Sequence, residues 1–428
     1  MFKILKNAWG IPELRKKMLY TLLLLVVFRF GSVIPVPWLD SSVLSEWVKT
    51  GGNTIFNIMD MFSGGAFSQA TIFAMSISPY INSSIIIQLL TVAIPALERL
   101  SKEGEEGRKK ISKITRYLSV ALAFIQATGL YIGLKSANAV MQPGVFTFFV
   151  ITLSFTAGTA FLMWLGEEIT EKGIGNGISM LIFAGIVSRI PSMAVSVWKT
   201  FTGGDSKNYL AIILILAFAI LVIAFVVLFN EGERRIPVQY AKRVVGRKMY
   251  GGQSTHIPIK VTMAGVIPII FAMSLLAFPS TIVSLVSPNA TSGFAGWILR
   301  FFRQDNVWYA LIYFILIVAF TYFYTAITFN PIEVANNMKK NGGFIPGIRP
   351  GKPTSDFIAK VLSRITLVGA FFLGIIAILP IILALIDSKL SSISIGGTSL
   401  LIVVGVALET VKQLESQMLM RHYKGFLE

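Results

Sequence analysis

The amino-acid sequence predicts an all-α integral membrane protein with ten transmembrane helices. Hydrophobic residues make up 54% of the 428 residues and only 14% are charged, whereas soluble domains carry about 25% charged residues. Apolar runs of about 18 or more residues recur along the chain, and each is long enough to cross the ~30 Å hydrocarbon core of a bilayer as a helix. A soluble protein could not bury so many such runs.

The ten predicted spans are separated by polar or charged connections. They are Lys17–Ile34, Thr71–Ile94, Tyr117–Leu134, Phe146–Gly166, Gly175–Val197, Tyr209–Phe229, Val261–Val286, Val307–Phe329, Val361–Ile386 and Gly396–Leu414. The first span follows a basic start, as the apolar part of a signal peptide would. The segment Val33–Pro37 offers no small-residue cleavage site, however, which favours retention of this span as an anchor.

Lysine and arginine are concentrated in one alternating set of connections. This set holds 28 of the 38 basic residues, and the opposite set holds about nine. Because basic connections stay on the cytoplasmic side of a membrane, we expect this face, and with it both chain termini, to be cytoplasmic. The basic set comprises the N-terminus, residues 95–116, 167–174, 230–260 and 330–360, and the C-terminal tail.

Ten spans with both termini on one side divide into two halves of five, residues 1–200 and 201–428. An odd number of spans in each half places the second half upside down relative to the first, as in inverted repeats. Pro79–Ile81 in the second span and Pro268–Ile270 in the seventh are a weak internal echo of this arrangement. A chance match in an isoleucine-rich chain is the open alternative.

Residues 53–70 form a segment that is too short and too polar to span a membrane. Asp60 lies near its centre, and Gly64 and Gly65 interrupt the helical pattern. Backbone that does not span is tolerated at membrane depth only where it is buried in protein or lines a water-filled cavity. The segment is therefore either a re-entrant plug or an ordinary external loop with one helical turn.

Charged residues are nearly absent from the interior of the spans. Ion-coupled transporters and pumps usually need such residues to bind ions or relay protons. A small-solute transporter is therefore disfavoured, and a scaffold subunit without a conducting path is a second alternative. The chain has no cysteine and two distant histidines, His256 and His422, and it lacks nucleotide-binding and nucleophile motifs. We expect no catalytic residue, no metal and no cofactor.

Uncharged polar residues stand out in the second and fifth spans, among them Gln88 and Asn176. Such residues commonly hydrogen-bond between packed helices and do no more than hold them together. The alternative is a weak, breakable contact between these two spans, at a seam that opens sideways.

Two long connections on the basic face have features of binding loops. Residues 230–260 carry seven lysines and arginines against two acids, and residues 330–360 carry five against two. Both are punctuated by glycine and proline, as binding loops tend to be, and their charge suits phosphate backbones or an acidic partner. Alternatively, they only satisfy the orientation rule or contact anionic lipid.

Eight segments, in the same order along the chain, closely resemble segments of the bacterial SecY family. They are Ile77–Gln88, Lys102–Ile111, Gly173–Ser179, Ala241–Arg243, Gln253–Lys260, Asn330–Pro331, Phe344–Gly351 and Gly396–Ile402. The predicted number of spans and their orientation agree with that family, so the chain is identified as a member of it.

The resemblance implies a protein-conducting channel of a secretion pathway, not an enzyme, with an hourglass pore between the two five-helix halves. Unfolded secretory polypeptides would cross through this central pore. Transmembrane segments would leave sideways, through a lateral gate between the second and seventh spans and their neighbours, the third and eighth. Family members narrow at a ring of isoleucines, which the motifs place at Ile77, Ile81, Ile178, Ile182, Ile270 and Ile402.

The resemblance also assigns residues outside the ring. The polar residues of the gate match Gln88 and Asn176, and the arginine that engages the ribosome and the motor ATPase matches Arg349. The plug matches about Asn57–Ser68, and its candidate residues are Asn57, Asp60, Phe62, Gly64 and Gly65. The neighbouring basic loop contributes Lys242, Arg243, Arg247 and Lys248. The last two depart from an expected double arginine, and lysine lacks the planar fork of arginine.

The family resemblance implies several partners and a location. The partners are a clamp-like SecE subunit, a SecG-type subunit, the SecA motor ATPase, the ribosome with its RNA, polypeptides that bear a signal sequence, and membrane lipid. The location is the cytoplasmic (inner) membrane of a bacterium.

Overall fold

The computed structural model is mostly helical. It describes residues 2–49, 60, 63–202, 209–240, 243–245, 248–250, 254–286, 293–302, 306–386 and 391–424. The helices of this part of the chain are α1 (Phe2–Trp9), α2 (Pro12–Gly31), α3 (Ser41–Lys49), α4 (Ser78–Ala93), α5 (Pro95–Lys102), α6 (Glu105–Ser136), α7 (Val145–Lys172), α8 (Gly177–Thr202), α9 (Tyr209–Glu231), α10 (Ile267–Val286), α11 (Gly293–Phe301), α12 (Val307–Thr328), α13 (Pro331–Lys340), α14 (Lys352–Ile386) and α15 (Ser391–Lys424).

Several of these helices are long and apolar enough to cross a membrane. In the described residues the length and hydropathy of five segments suffice, namely Glu105–Ser136, Val145–Lys172, Gly177–Val195, Val307–Lys340 and Lys352–Ile382. A sixth results if α4 and α5 count as one span, although they meet at an angle of 101°. Leu216–Glu231 and Ile267–Pro279 are shorter apolar helical segments. The prediction of a multi-pass membrane protein is confirmed.

Two of the predicted spans begin later than the hydropathy of the sequence suggests. The predicted start of the second span at Thr71 is wrong, because α4 begins at Ser78 and the residues before it form turns. Ser76 adopts a left-handed φ of 52°, which no helix accommodates. The seventh predicted span starts at Val261, but α10 begins at Ile267. Both helices carry proline in their second position, where the missing N–H costs nothing.

The segment that follows α2 organises the face opposite the basic connections. The backbone N–H of Val36 donates to the carbonyl of Ala70, and that of Ile72 donates to the carbonyl of Ile34. Farther along, the side chain and the backbone N–H of Ser42 donate to the Asp40 carboxylate and hold the pKa of that carboxyl below its ordinary value. Residues 66–75 are thereby tied to the end of the first predicted span.

The two long basic connections share one small β-sheet, which the all-α class did not predict. The strands are β1 (Glu233–Tyr240), β2 (Arg243–Val245), β3 (Lys248–Tyr250), β4 (Ser254–Lys260) and β5 (Gly343–Phe344). β1 pairs antiparallel with β4 on one side and with β5 on the other, with Ile236 opposite Ile257 and Gln239 opposite Phe344. β2 and β3 form a separate hairpin. Residues 230–260 and 330–360 are therefore one structural unit.

Gly158 provides a test of the packing between α7 and the turn before α4. A Cβ at Gly158 would collide with the carbonyl oxygen of Ile72, and backbone cannot move aside as a flexible side chain does. We expect Gly158→Ala to lower the free energy of unfolding by about 1–3 kcal/mol, measured as a lower Tm of the purified protein. In the matched control Gly133→Ala, the added methyl group meets open space, and helix propensity favours alanine. Equal Tm values for the two variants would contradict this packing.

Candidate pore

The structure places all six isoleucines of the predicted ring in or against one large hydrophobic cluster, which also contains other aliphatic and aromatic side chains. Ile77, Ile81, Ile182, Ile270 and Ile402 are buried members of one hydrophobic cluster, and the partly buried Ile178 packs against it. Their side chains belong to α4 and the turn before it, to α8, to α10 and to α15. The side chains of these isoleucines offer neither charge nor hydrogen bonds.

The spacing of these isoleucines follows from the helices that carry them. Ile178 and Ile182 are four residues apart on α8, so they lie on one face of that helix. Ile77 and Ile81 have the same spacing at the start of α4, where the N–H of Ile81 donates to the carbonyl of Ile77. Ile270 lies in the first turn of α10. Three helices therefore present their first turns to the cluster, and α15 adds a residue from its interior.

The helices of the predicted lateral gate are in contact. α4 packs against α10, and α6 also packs against α10. The polar gate residues, however, bond within their own helices. The Gln88 amide donates to Ser84 Oγ at 3.2 Å, while Asn176 Oδ1 accepts from the backbone N–H groups of Ile178 and Ser179 and so caps α8.

The described residues of the predicted plug are folded against the helix bundle. Asp60 is 1% exposed, and Ala66 belongs to the same hydrophobic cluster as the isoleucines. Gly64 and Gly65 have φ angles of 68° and 92°, a left-handed conformation that glycine adopts most readily. Asn57 and Phe62 lie outside the described residues.

Sequence reasoning missed the partners of Asp60. Its carboxylate pairs with Arg189 on α8, with Oδ2 2.7 Å from Nη1. Arg29, at the end of α2, donates to the carbonyl of Gly64 at 3.2 Å. The sequence contains a signal for this pairing, because Asp60, Arg29 and Arg189 all lie in or near the connections that hold few lysines and arginines.

The predicted partner-binding arginine lies on an exposed turn. Arg349 is exposed between β5 and α14, and its carbonyl oxygen accepts from Thr354 Oγ1 at 2.8 Å. Gly347 and Gly351 flank it with φ angles of 81° and 106°, and Ile345 is buried in the core beneath the sheet. The turn is therefore held in place, and the side chain of Arg349 is exposed on it.

Two of the other basic residues predicted for this surface begin the strands of the β2–β3 hairpin. Arg243 opens β2 and Lys248 opens β3. Lys242 and Arg247 lie outside the described residues.

The fold defines a multi-pass helical membrane protein. The family model described as SecY matches residues 71–411. A protein translocase subunit SecY from Streptomyces galbus is 47% identical to the chain over 442 residues, which cover 100% of both chains. The chain belongs to the SecY family.

Solved structures with the same fold support this assignment. One, titled "The structure of a protein conducting channel", superposes with a TM-score of 0.64 at 19% identity, covering 94% of this chain and 92% of the other. Another, "Sec61 in the Canine ribosome-channel complex from the endoplasmic reticulum", gives a TM-score of 0.62 at 18% identity with the same coverage. At these identities the likeness concerns the fold.

Proposed function

We propose that this chain is the central, pore-forming subunit of the Sec protein translocase of a bacterium. It conducts unfolded secretory polypeptides across the membrane and releases transmembrane segments sideways into the bilayer. The observation that carries the proposal is the match to the SecY family along the chain, and the burial of five of the six predicted ring isoleucines in one hydrophobic cluster supports it. SecY subunits are channels and not enzymes, in agreement with the absence of catalytic motifs from the sequence.

The proposed architecture is ten spans in two inverted halves around the pore. Helix contacts support it, because the same order of neighbours occurs twice. In the first half α4 packs on α6, α6 on α7 and α7 on α8; in the second, α10 packs on α12, α12 on α14 and α14 on α15. The proline-led starts of α4 and α10 occupy equivalent places in this order.

The proposed orientation places the basic connections and both termini in the cytoplasm, with the chain in the bacterial inner membrane. The distribution of lysine and arginine supports it. The sheet that joins residues 230–260 with 330–360 then projects into the cytoplasm, and the buried Asp60 lies toward the outer end of the pore.

The proposed mechanism follows from the chemistry of the cluster. A translocating polypeptide presents every kind of side chain, so a pore with charges or strong binding groups would arrest some sequences. A ring of branched aliphatic side chains gives a deformable seal that excludes water when empty, a recognised form of gating. An apolar signal helix gains by leaving between α4 and α10, because about 20 apolar residues then exchange water for lipid.

The proposed partners are SecE, SecG, the SecA motor, the ribosome with its RNA, signal-bearing polypeptides and lipid. Structures of related fold include ribosome-bound channels by their titles. The exposed Arg349, held on a structured turn, is the residue we propose for contact with ribosome and motor. A guanidinium binds phosphate and carboxylate in a fork, which suits ribosomal RNA and an acidic protein surface alike.

Photo-crosslinking tests the path of the polypeptide. With a photoreactive residue at Ile402 and a secretory precursor arrested during export, we expect a crosslink to the precursor that requires its signal sequence. A photoreactive residue at Leu216, which is 64% exposed on α9, is the lipid-facing control. If the precursor is engaged but Ile402 gives no crosslink, the pore runs elsewhere.

A polar residue in the ring is expected to weaken the seal. Asn in place of Ile81, Ile270 or Ile402 holds water in the constriction, so each variant should raise ion leak through the resting channel and relax selectivity for signal sequences. Ion flux into proteoliposomes and export of precursors with defective signals measure the two effects. Leu275→Asn, at a 40% exposed position on α10, is the matched control. Wild-type leak and selectivity in Ile270→Asn would count against the ring.

Reversing the charge at Arg349 is expected to impair translocation while the protein stays folded. Arg349→Glu would repel the phosphate or carboxylate groups of a partner, and its exposed side chain leaves the core of the sheet unchanged. Export rate and the amount of membrane-embedded protein are the two readouts. Lys340→Glu, also exposed in the same connection, is the control. Normal export in Arg349→Glu would remove this arginine from the partner surface.

A further inference from the structure

A polar cavity lies where α9 and β4 end and where α10, α12 and α15 converge. Its volume is about 180 Å³. Cavities of about 150 Å³ accommodate a molecule of the size of benzene, so this cavity has room for the head of a long side chain. Its charged and hydrogen-bonding side chains are those of Asn230, Lys260, Thr262, Tyr324, Glu409 and Lys412.

The cavity lies beside the predicted pore ring, on the side of the basic connections. Glu409 follows Ile402 by seven residues on α15, so both lie on one face of that helix, about 10 Å apart along its axis. Val266 also lines the cavity and precedes Ile270 of the ring by one turn. A Cβ at Gly405 would collide with the side chain of Val266, so α15 and the start of α10 touch between the ring and Glu409.

Two of the polar side chains in the cavity are paired through Asn230. Thr262 Oγ1 donates to Asn230 Oδ1 at 2.8 Å, and Lys412 Nζ donates to the carbonyl of Asn230 at 3.2 Å. These bonds tie the end of α9 to α15 and to the segment before α10. Glu409 differs, because its side chain is exposed and makes no hydrogen bond or ion pair with another residue that the structure describes.

The charges of the cavity leave a position for a cation beside Glu409. Lys412 is bound to Asn230, and Lys260, exposed at the end of β4, acts on Glu409 through its charge without forming an ion pair. A partly desolvated carboxylate is stabilised when a cation with N–H groups reaches it. Along α15 the acid lies one turn nearer to the ring than Lys412 does. A cation bound there would therefore lie between the two lysines and the ring.

The cavity adjoins the helices of the proposed lateral gate. Its wall includes Thr262 and Val266, at the approach to α10, and Tyr324 of α12. The apolar part of a signal sequence that leaves between α4 and α10 would lie along α10. Basic residues precede that apolar part, and basic residues beside an apolar helix stay on the cytoplasmic side. These residues are therefore the cations that come to the mouth of the cavity.

We propose that Glu409 binds the basic residues that precede the apolar helix of a signal sequence or transmembrane segment. This inference rests on the proposed function. The carboxylate holds an ammonium or guanidinium group at the cytoplasmic side of the ring and so favours the orientation in which the N-terminus of the segment stays in the cytoplasm. The bound residues are not translocated, and the site lies beside the ring, so it does not arrest the polypeptide that follows.

The test exchanges charges between the chain and a precursor. Membranes with the full complex export two precursors, one with lysines before its signal helix and one with glutamates in their place. We expect Glu409→Lys to lower the ratio of basic to acidic precursor exported about fivefold, because one attraction at a partly exposed site becomes a repulsion. Glu409→Gln, which keeps the shape of the side chain and removes its charge, should give an intermediate ratio.

The matched control changes an acid elsewhere on the same helix. Glu415→Lys alters the net charge by the same amount, but Glu415 lies off the face that carries Ile402 and Glu409 and does not line the cavity. This variant should keep the wild-type ratio. The quantity of membrane-embedded protein is measured for every variant, and export is compared at equal quantity.

A crosslink tests proximity without relying on export rates. The chain has no cysteine, so Glu409→Cys introduces a single thiol. With a precursor arrested during export that carries one cysteine directly before its apolar helix, we expect a disulfide between the two when a mild oxidant is added to accept the electrons. Glu415→Cys is the control and should react less.

The possible outcomes distinguish this inference from the proposed function. If the unaltered chain exports neither precursor, the proposed function is wrong. If it exports the basic precursor but Glu409→Lys leaves the ratio unchanged, or Glu415→Lys changes it as much, Glu409 does not recognise the basic residues. A disulfide that forms equally well from position 415 also contradicts the site. A lower ratio in Glu409→Lys alone, with a disulfide formed preferentially from position 409, supports it.

Discussion

The buried hydrophobic cluster is the interaction on which the rest of the structure depends. It joins side chains of α4 and α8, encoded before residue 200, to side chains of α10 and α15, encoded after it. Such contacts act by dispersion, at about 0.1–0.2 kcal/mol per pair of atoms. In a bilayer, lipid tails solvate apolar groups as well as another helix does. The two parts of the chain are therefore held here by close packing.

Hydrogen bonds and ion pairs between side chains, by contrast, join α2, α6 and α7. Tyr20 of α2 donates to Glu168 of α7 at 2.7 Å, and Arg116 of α6 pairs with Glu167 of α7 at the same distance. These contacts join helices of the first half to one another. Under the proposed function, such polar links keep the helices of one half together when α4 and α10 separate. The ion pair of Asp60 with Arg189 adds a charged contact between residues 60–68 and α8.

The sheet on the basic face has a separate effect, which is to hold basic side chains in fixed positions. Basic side chains on a long flexible loop would lose much conformational entropy when a partner binds. Pairing β1 with both β4 and β5, over a core that includes Ile236 and Ile345, orders the two connections before any partner arrives. Arg349 is presented from that ordered surface. This arrangement suits repeated and reversible contact with large partners.

The sequence by itself determined the membrane class, the positions of most helices and the family. These properties depend on composition and local order, namely runs of apolar residues, the placement of lysine and arginine, and motifs such as Phe344–Gly351. Family motifs also identified the six isoleucines, which composition could not distinguish among many others. Only the tertiary structure decided that Arg189 pairs with Asp60 and that two connections about a hundred residues apart in the sequence share one sheet. Those contacts join distant segments, and their partners are chosen by how the helices pack, so no local pattern in the chain encodes them.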